Sequence, residues 1–315
     1  MLPINLHRFV LCNIPKGCWP DFFYHYTKKR FLPLICSCDG RLLATQATYL
    51  DDKLELKLGA DLCIEFLERE RGLSTSICDK LRKSVHDLIN ASCVEYPQAL
   101  QVVPWVASLS SRKDSPRMWH SYTEGGGYCL VFSQRNLRRG FELLNAKSSS
   151  ENLCRSIWLL MPCFYRGKHD VMAYIRAYFD DFLSSVVFDN NCNNLISHIL
   201  VAATFIKEGT YAYEHEWRIA IFPSVVAYQD VEWCPAGSCR TPRLSVGLES
   251  CVNDFRRYLA GIMVSPHGDH EQMKAFAKKC RGNVRMKVEV SGLPTNFALL
   301  ANHIDRKSWV YELHK

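Results

Sequence analysis

The hydrophobic period of this chain changes repeatedly along its length, and those changes restrict the fold more than any other feature. Phe22–Thr27, rich in aromatic residues, reads as a strand. Residues 28–37 read as a helix whose Pro33 belongs near its start. Residues 42–44 follow as a short strand and 49–52 as a loop. Lys53–Arg71 repeats apolar residues at Leu54, Leu58, Leu62 and Phe66, the spacing of a helix face. A second helix is expected from Ser76, capped by that hydroxyl with Asp79 three residues on, and carrying Ile77, Leu81, Val85 and Leu88. The period then drops to two, so 102–110 and 128–132 read as strands. The middle is helical, with Val171, Tyr174, Tyr178 and Phe182 on one stripe and Leu195, Ile199 and Ala203 on another. Strands return at 212–222, 243–246, 261–264 and 284–290, with helices around 252–259 and 272–280. Helices and strands mix without a strict βαβ rhythm, which predicts an α+β fold. The polar segment 147–153 is too weak a linker to divide the chain. The expectation is one domain over 1–315 with helical insertions at about 53–92 and 150–207.

A composition of 48% apolar and 23% charged residues excludes disordered, collagen-like and coiled-coil chains. The longest apolar runs, such as 196–206, are interrupted and fall short of the roughly 20 residues a spanning helix needs. Residues 1–10 lack an apolar core with a small-residue cleavage site, so a cytoplasmic protein without a membrane partner is expected. The 15 cysteines are odd in number and scattered singly, a pattern of reduced, buried thiols. Cys36-x-Cys38 and Cys234-x4-Cys239 come nearest to metal-ligand spacing, but no second pair follows either, so no metal is expected. The net charge of +7 is mild, and Lys28-Lys29-Arg30, Arg138-Arg139 and Arg256-Arg257 read as solvated helix ends. A field of that sign still favours an anionic substrate, a nucleotide or a nucleic acid.

Three segments carry candidate chemistry. In a strand over 213–222, Glu214, Glu216 and Arg218 would share one face, with Tyr213, His215, Trp217, Ile219 and Ile221 on the apolar other. Two carboxylates so close shift each other's pKa in a dry site, so one can accept a proton while the other stabilises positive charge. The plainer alternative is a half-exposed strand whose charges pair with neighbouring strands. Within Tyr24-His25-Tyr26-Thr27, His25 and Thr27 share a face and can hydrogen-bond a ribose or an amide. Ser108 and Ser110 share a strand face, and Trp119 and Tyr122 sit one helical turn apart, placed to border one cleft. The serines lack a G-x-S-x-G context, which excludes that kind of hydrolase nucleophile.

Taken in order, these blocks resemble the bacterial family known as domain of unknown function 2971. The resemblance runs over roughly 22–296. It is carried by Tyr24–Thr27, Leu50-Asp51-Asp52, Ser108-Leu109-Ser110, Met118-Trp119, Tyr122, the strand 127–132, Lys207, the Glu214-x-Glu216-x-Arg218 block and Ser291-Gly292-Leu293-Pro294. Asp51 departs from the family's usual Asn. The order of a His-Tyr-Thr strand, a serine strand and a Glu-x-Glu strand is also similar to ADP-ribosyltransferases. That similarity implies a split, mixed or antiparallel β-sheet core, NAD as substrate, and a macromolecular acceptor, protein or nucleic acid. Carried across by position, it makes His25 the ribose or nicotinamide-amide holder, with Tyr26 and Thr27 beside it. Ser108 and Ser110 would support that strand, and Trp119 or Tyr122 would stack on nicotinamide. Glu216 would be the key carboxylate and Glu214 the acceptor base, with Arg218 orienting Glu216 or meeting a phosphate. The cellular role it implies is a toxin or anti-phage defence effector, with a neutralising or regulatory partner protein. Two other functions fit the same residues. One is a non-catalytic module that binds a nucleotide or nucleic acid, and the other is a carboxylate-dependent nuclease using Glu214, Glu216 and His120.

Overall fold

The computed structural model describes residues 19–28, 42–50, 53–90, 102–123, 126–139, 157–185, 192–222, 231–236, 239–246, 259–269, 271–273 and 287–292. Its helices include α1 (Lys53–Arg71), α2 (Thr75–Asn90), α3 (Pro116–Thr123), α4 (Val171–Ser185) and α5 (Cys192–Ala203). Its strands are β1 (Phe22–Thr27), β2 (Leu42–Gln46), β3 (Trp105–Ser110), β4 (Tyr128–Ser133), β5 (Ile157–Pro162) and β6 (Phe164–Tyr165). The later strands are β7 (Ile206–Lys207), β8 (Glu216–Phe222), β9 (Val231–Ala236), β10 (Cys239–Val246), β11 (Leu259–Val264) and β12 (Lys287–Val290). The architecture is α+β with mixed, largely antiparallel strand pairing. The helix expected at 28–37, the Asp51-Asp52 loop end, the segment 147–153, Cys36 and Cys38 lie outside the described residues, as does most of the helices expected near 252–259 and 272–280. Leu259 itself opens a strand. Among the described residues no helix is long and apolar enough to cross a membrane.

The chain forms two compact units, each drawn from three stretches of sequence. Unit 1 takes Met1–Pro20, Leu42–Leu109 and Arg138–Asn253. Its strands run in the order β5-β8-β3-β2-β10-β9, and α1, α2, α4 and α5 belong to it. Unit 2 takes Asp21–Arg41, Ser110–Leu137 and Asp254–Lys315. There the order is β12-β11-β4-β1, parallel only between β11 and β12, with α3 packed against β1.

The central strands differ from the expected alternation. Every residue of β8 is buried, and in β3 only Ser108 is half-exposed. A strand covered on both faces loses the period-two pattern that a half-exposed strand shows.

The buried face of α1 is also displaced from the stripe expected at Leu54, Leu58, Leu62 and Phe66. Leu54 is 73% exposed, whereas Leu56, Ala60, Cys63, Ile64, Phe66 and Leu67 are buried. The reason is the contact with α5, which uses small residues. A Cβ at Gly59 would stand 2.7 Å from the carbonyl oxygen of Ala203. Gly59→Ala should therefore cost about 1–3 kcal/mol by forcing the two backbones apart, although alanine at an exposed helix position gains up to about 1 kcal/mol over glycine. Urea denaturation decides the sign, and an unchanged or raised midpoint would refute the close contact. In α2 the buried residues are Cys78, Leu81, Val85 and Ile89, and Ile77 is largely exposed. Its first turn is closed by the Ser74 carbonyl, which accepts from the Ile77 and Cys78 amides, while Asp79 pairs with Arg82. The stripes of α4 and α5 hold at Val171, Tyr174, Tyr178, Leu195, Ile199 and Ala203. They meet where Tyr178 and the buried His198 bond at 2.9 Å, and burial lowers that imidazole to about 3. Cys63, Cys78, Cys129 and Cys163 are free and buried, and burial pushes their thiols up.

Candidate functional site

The strand expected over 212–222 begins only at Glu216. Residues Gly209–Glu214 form a 3-10 turn whose first amide is capped by the Glu208 carboxylate. Gly209 is required there, because a Cβ would lie 2.2 Å from the Arg166 carbonyl oxygen. The turn ends at His215, an exposed residue in the left-handed region with φ 44° and ψ 47°. Such a conformation is costly for a non-glycine residue and clusters at functional sites. Glu214 therefore shares no strand face with Glu216 and Arg218, contrary to the strand expected over 213–222. Trp217, Ile219 and Ile221 are buried as the core face requires, but Glu216 and Arg218 are buried too, at 4% and 3% exposure.

What joins the two glutamates is an ammonium group. Lys207 Nζ donates to Glu214 Oε2 at 2.7 Å and to Glu216 Oε2 at 2.6 Å, and lies 3.5 Å from Glu55 Oε2. Arg218 donates through Nε to Glu216 Oε1 at 2.9 Å and through Nη2 to Glu216 Oε2 at 3.2 Å. The same Nη2 bonds Glu55 Oε1, and Nη1 bonds the Thr204 carbonyl. Glu55 comes from the first turn of α1, where the helix dipole favours a negative charge. The backbone of Glu216 is held on both sides, its amide donating to the Tyr165 hydroxyl at 2.7 Å and its carbonyl accepting from the Cys163 amide at 2.8 Å. All five charged side chains belong to unit 1 and are nearly dry.

Three carboxylates against two cations leave one formal negative charge when all are ionised. Burial alone would push the Glu216 carboxyl up, but the Arg218 guanidinium and the Lys207 ammonium more than reverse this and hold it well below the usual range. At Glu55 burial wins over the same two cations, and its carboxyl stands above the ordinary value. Burial opposes the charge on Lys207 as well, yet the surrounding carboxylates, Glu216 first, raise its pKa.

The other expected site residues belong to other elements. Ser108 is half-buried on β3 in unit 1. His25, Tyr26, Thr27, Ser110, Trp119 and Tyr122 belong to unit 2. His25 is half-buried opposite Leu130, and Thr27 is buried opposite Tyr128. The Tyr26 hydroxyl donates to the Arg112 carbonyl at 2.9 Å and accepts from the Ser115 amide at 3.0 Å. Trp119 packs edge-on against Tyr26, with ring centres 4.9 Å apart. Its indole N–H donates to Asp114 Oδ1 at 2.7 Å. Asp114, at φ 50°, also accepts from Ser291 Oγ at 2.6 Å and the Gly292 amide at 2.8 Å. Ser110 Oγ accepts from the Arg112 amide at 3.0 Å, so these side chains shape the loop 111–115. Tyr122 is half-buried on α3.

The structure thus gathers Glu214, Glu216 and Arg218, and adds Glu55, Tyr165 and a role for Lys207. The available signal was a single lysine ending the apolar run 196–206. No curated protein and no solved structure matches the chain. Residues 118–219, the stretch bearing Met118-Trp119, Tyr122, Lys207 and the Glu214–Arg218 block, match the family model described as a protein of unknown function, DUF2971.

Proposed function

We propose that the protein is an NAD-consuming enzyme of ADP-ribosyltransferase type that transfers ADP-ribose to a macromolecule. The observation that supports it most is the convergence of Glu214 and Glu216 on one buried ammonium, with Glu216 kept ionised. A buried ion cluster is a poor source of stability, since desolvation offsets most of the attraction. Five such groups held in register therefore favour a chemical role.

In this reading the bond between the nicotinamide nitrogen and the ribose anomeric carbon breaks, and both electrons leave with nicotinamide. Positive charge builds on the anomeric carbon and the ring oxygen. The Glu216 carboxylate stabilises it, which a dry, preorganised site does strongly. The acceptor's nucleophilic atom then bonds the anomeric carbon and loses its proton to Glu214. Arg218 fixes the Glu216 carboxylate through two hydrogen bonds. The roles given to His25, Tyr26, Thr27, Ser108, Ser110, Trp119 and Tyr122, and the role as a toxin or anti-phage effector, rest on the sequence resemblance alone.

Purified protein incubated with NAD and cell extract should release nicotinamide, and Glu216→Gln, checked for folding by circular dichroism, should lower that rate by about 100-fold or more. Wild type and variant both at background would end the transferase reading.

A further inference from the structure

We propose that Lys207 is the positioning residue of the Glu214–Glu216 pair: its ammonium holds together two carboxylates that come from unlike backbone segments. The inference rests on the reading of that pair as the reacting carboxylates.

Glu214 ends a 3-10 turn and Glu216 begins a strand, with a left-handed residue between them. No regular backbone period therefore aligns their side chains. Their common point is Lys207 Nζ, within hydrogen-bond distance of both. Lysine suits this place because it is a compact charge with three donors, and three carboxylates surround it. Its own position is fixed by backbone pairing. Lys207 opposes Tyr165 between β7 and β6, and its carbonyl accepts from the Arg166 amide at 2.8 Å. The Tyr211 ring stands over the ammonium at 5.1 Å, a favourable cation–π contact.

The groups facing Lys207 come from every element around it. Glu55 comes from α1, Tyr211 and Glu214 from the 3-10 turn, Glu216 and Arg218 from β8, Tyr165 from β6, and Cys163 from the residue before β6. Arg218 contacts Glu55 and Glu216. Lys207 contacts all three carboxylates. Without it, Glu214 and Glu216 repel across a dry gap, and a proton must replace the lost charge.

The test is a titration of glutamate side-chain carboxyl carbons by NMR in 13C-labelled full-length protein, with Glu216 assigned from Glu216→Gln. In Lys207→Met the Glu216 midpoint should rise by about one to three pH units, and Lys207→Arg, which keeps the charge, should hold it near the wild-type value. An unmoved midpoint in folded Lys207→Met overturns the proposal. Should Lys207→Met be unfolded at neutral pH, recovery of its circular dichroism on acidification, as a proton takes the place of the ammonium, supports the proposal. No recovery where the wild type stays folded overturns it. If NAD turnover is found, the acid limb of its pH profile should move up by the same interval in Lys207→Met and return in Lys207→Arg. If none is found, the transferase reading fails while the titration still decides the role of Lys207.

Discussion

Replacing Arg218 by methionine should lower the stability of the protein by about 3–5 kcal/mol, read as a lowered urea midpoint at neutral pH. Removing one partner from a buried ion cluster leaves uncompensated charge, which costs far more than the cluster contributes when intact. In the variant, Glu55 and Glu216 would face each other with only Lys207 between them, and the Thr204 carbonyl would lose its donor. The loss should shrink on mild acidification, because burial already pushes the Glu55 carboxyl up and a proton there restores charge balance. The sign follows from linkage: a group with a raised folded-state pKa takes up its proton more readily in the folded than in the unfolded chain, so lowering the pH toward its folded value favours folding. A variant within about 1 kcal/mol of wild type would place Arg218 in a wet, weakly coupled surface pair instead.

In unit 2 the largest expected effect belongs to Trp119. Trp119→Ala should cost about 3–5 kcal/mol, the usual result of emptying a large aromatic site in a core. The ring is 2% exposed and braced against Tyr26. Its N–H is also one of three donors on Asp114, a residue held at φ 50°. Trp119→Phe keeps most of the packing and removes only that donor, so about 1–2 kcal/mol should be lost. Thermal melts of the two variants separate packing from hydrogen bonding. Were Trp119→Ala as stable as wild type and altered only in nicotinamide release, the indole would be a ligand platform and not a structural post.

Much of the fold was legible because long amphipathic helices announce themselves by period. The span Lys53–Arg71 was read to the residue, but not its inward face. The repeat of large apolar residues favoured Leu54, whereas the close helix contact is made at Gly59, where small size lets backbones approach. Strand alternation failed at β8, since it assumes one wet face and this strand has none. The candidate site was legible as residues but not as geometry. Glu214, Glu216 and Arg218 stand out by type and spacing, yet the turn capped by Glu208 and the left-handed His215 remove Glu214 from the strand. Glu55 was unreadable from its neighbours alone, because its partner Arg218 is 163 residues away.

The interleaving of the two units governs the order in which the protein can be completed during synthesis. Once residue 253 has emerged, every described strand and helix of unit 1 exists, buried charges included. Unit 2 at that moment owns β1, α3 and β4, and β4 still lacks its neighbour β11. At about 5–20 residues per second, the ribosome therefore delivers one finished core while the other waits with an unpaired strand edge. The same threading defeats dissection. The matched stretch 118–219 begins in unit 2 and ends in unit 1, and without Glu55 from α1 it carries an incomplete charge cluster, so no contiguous fragment cut at its borders reproduces either core.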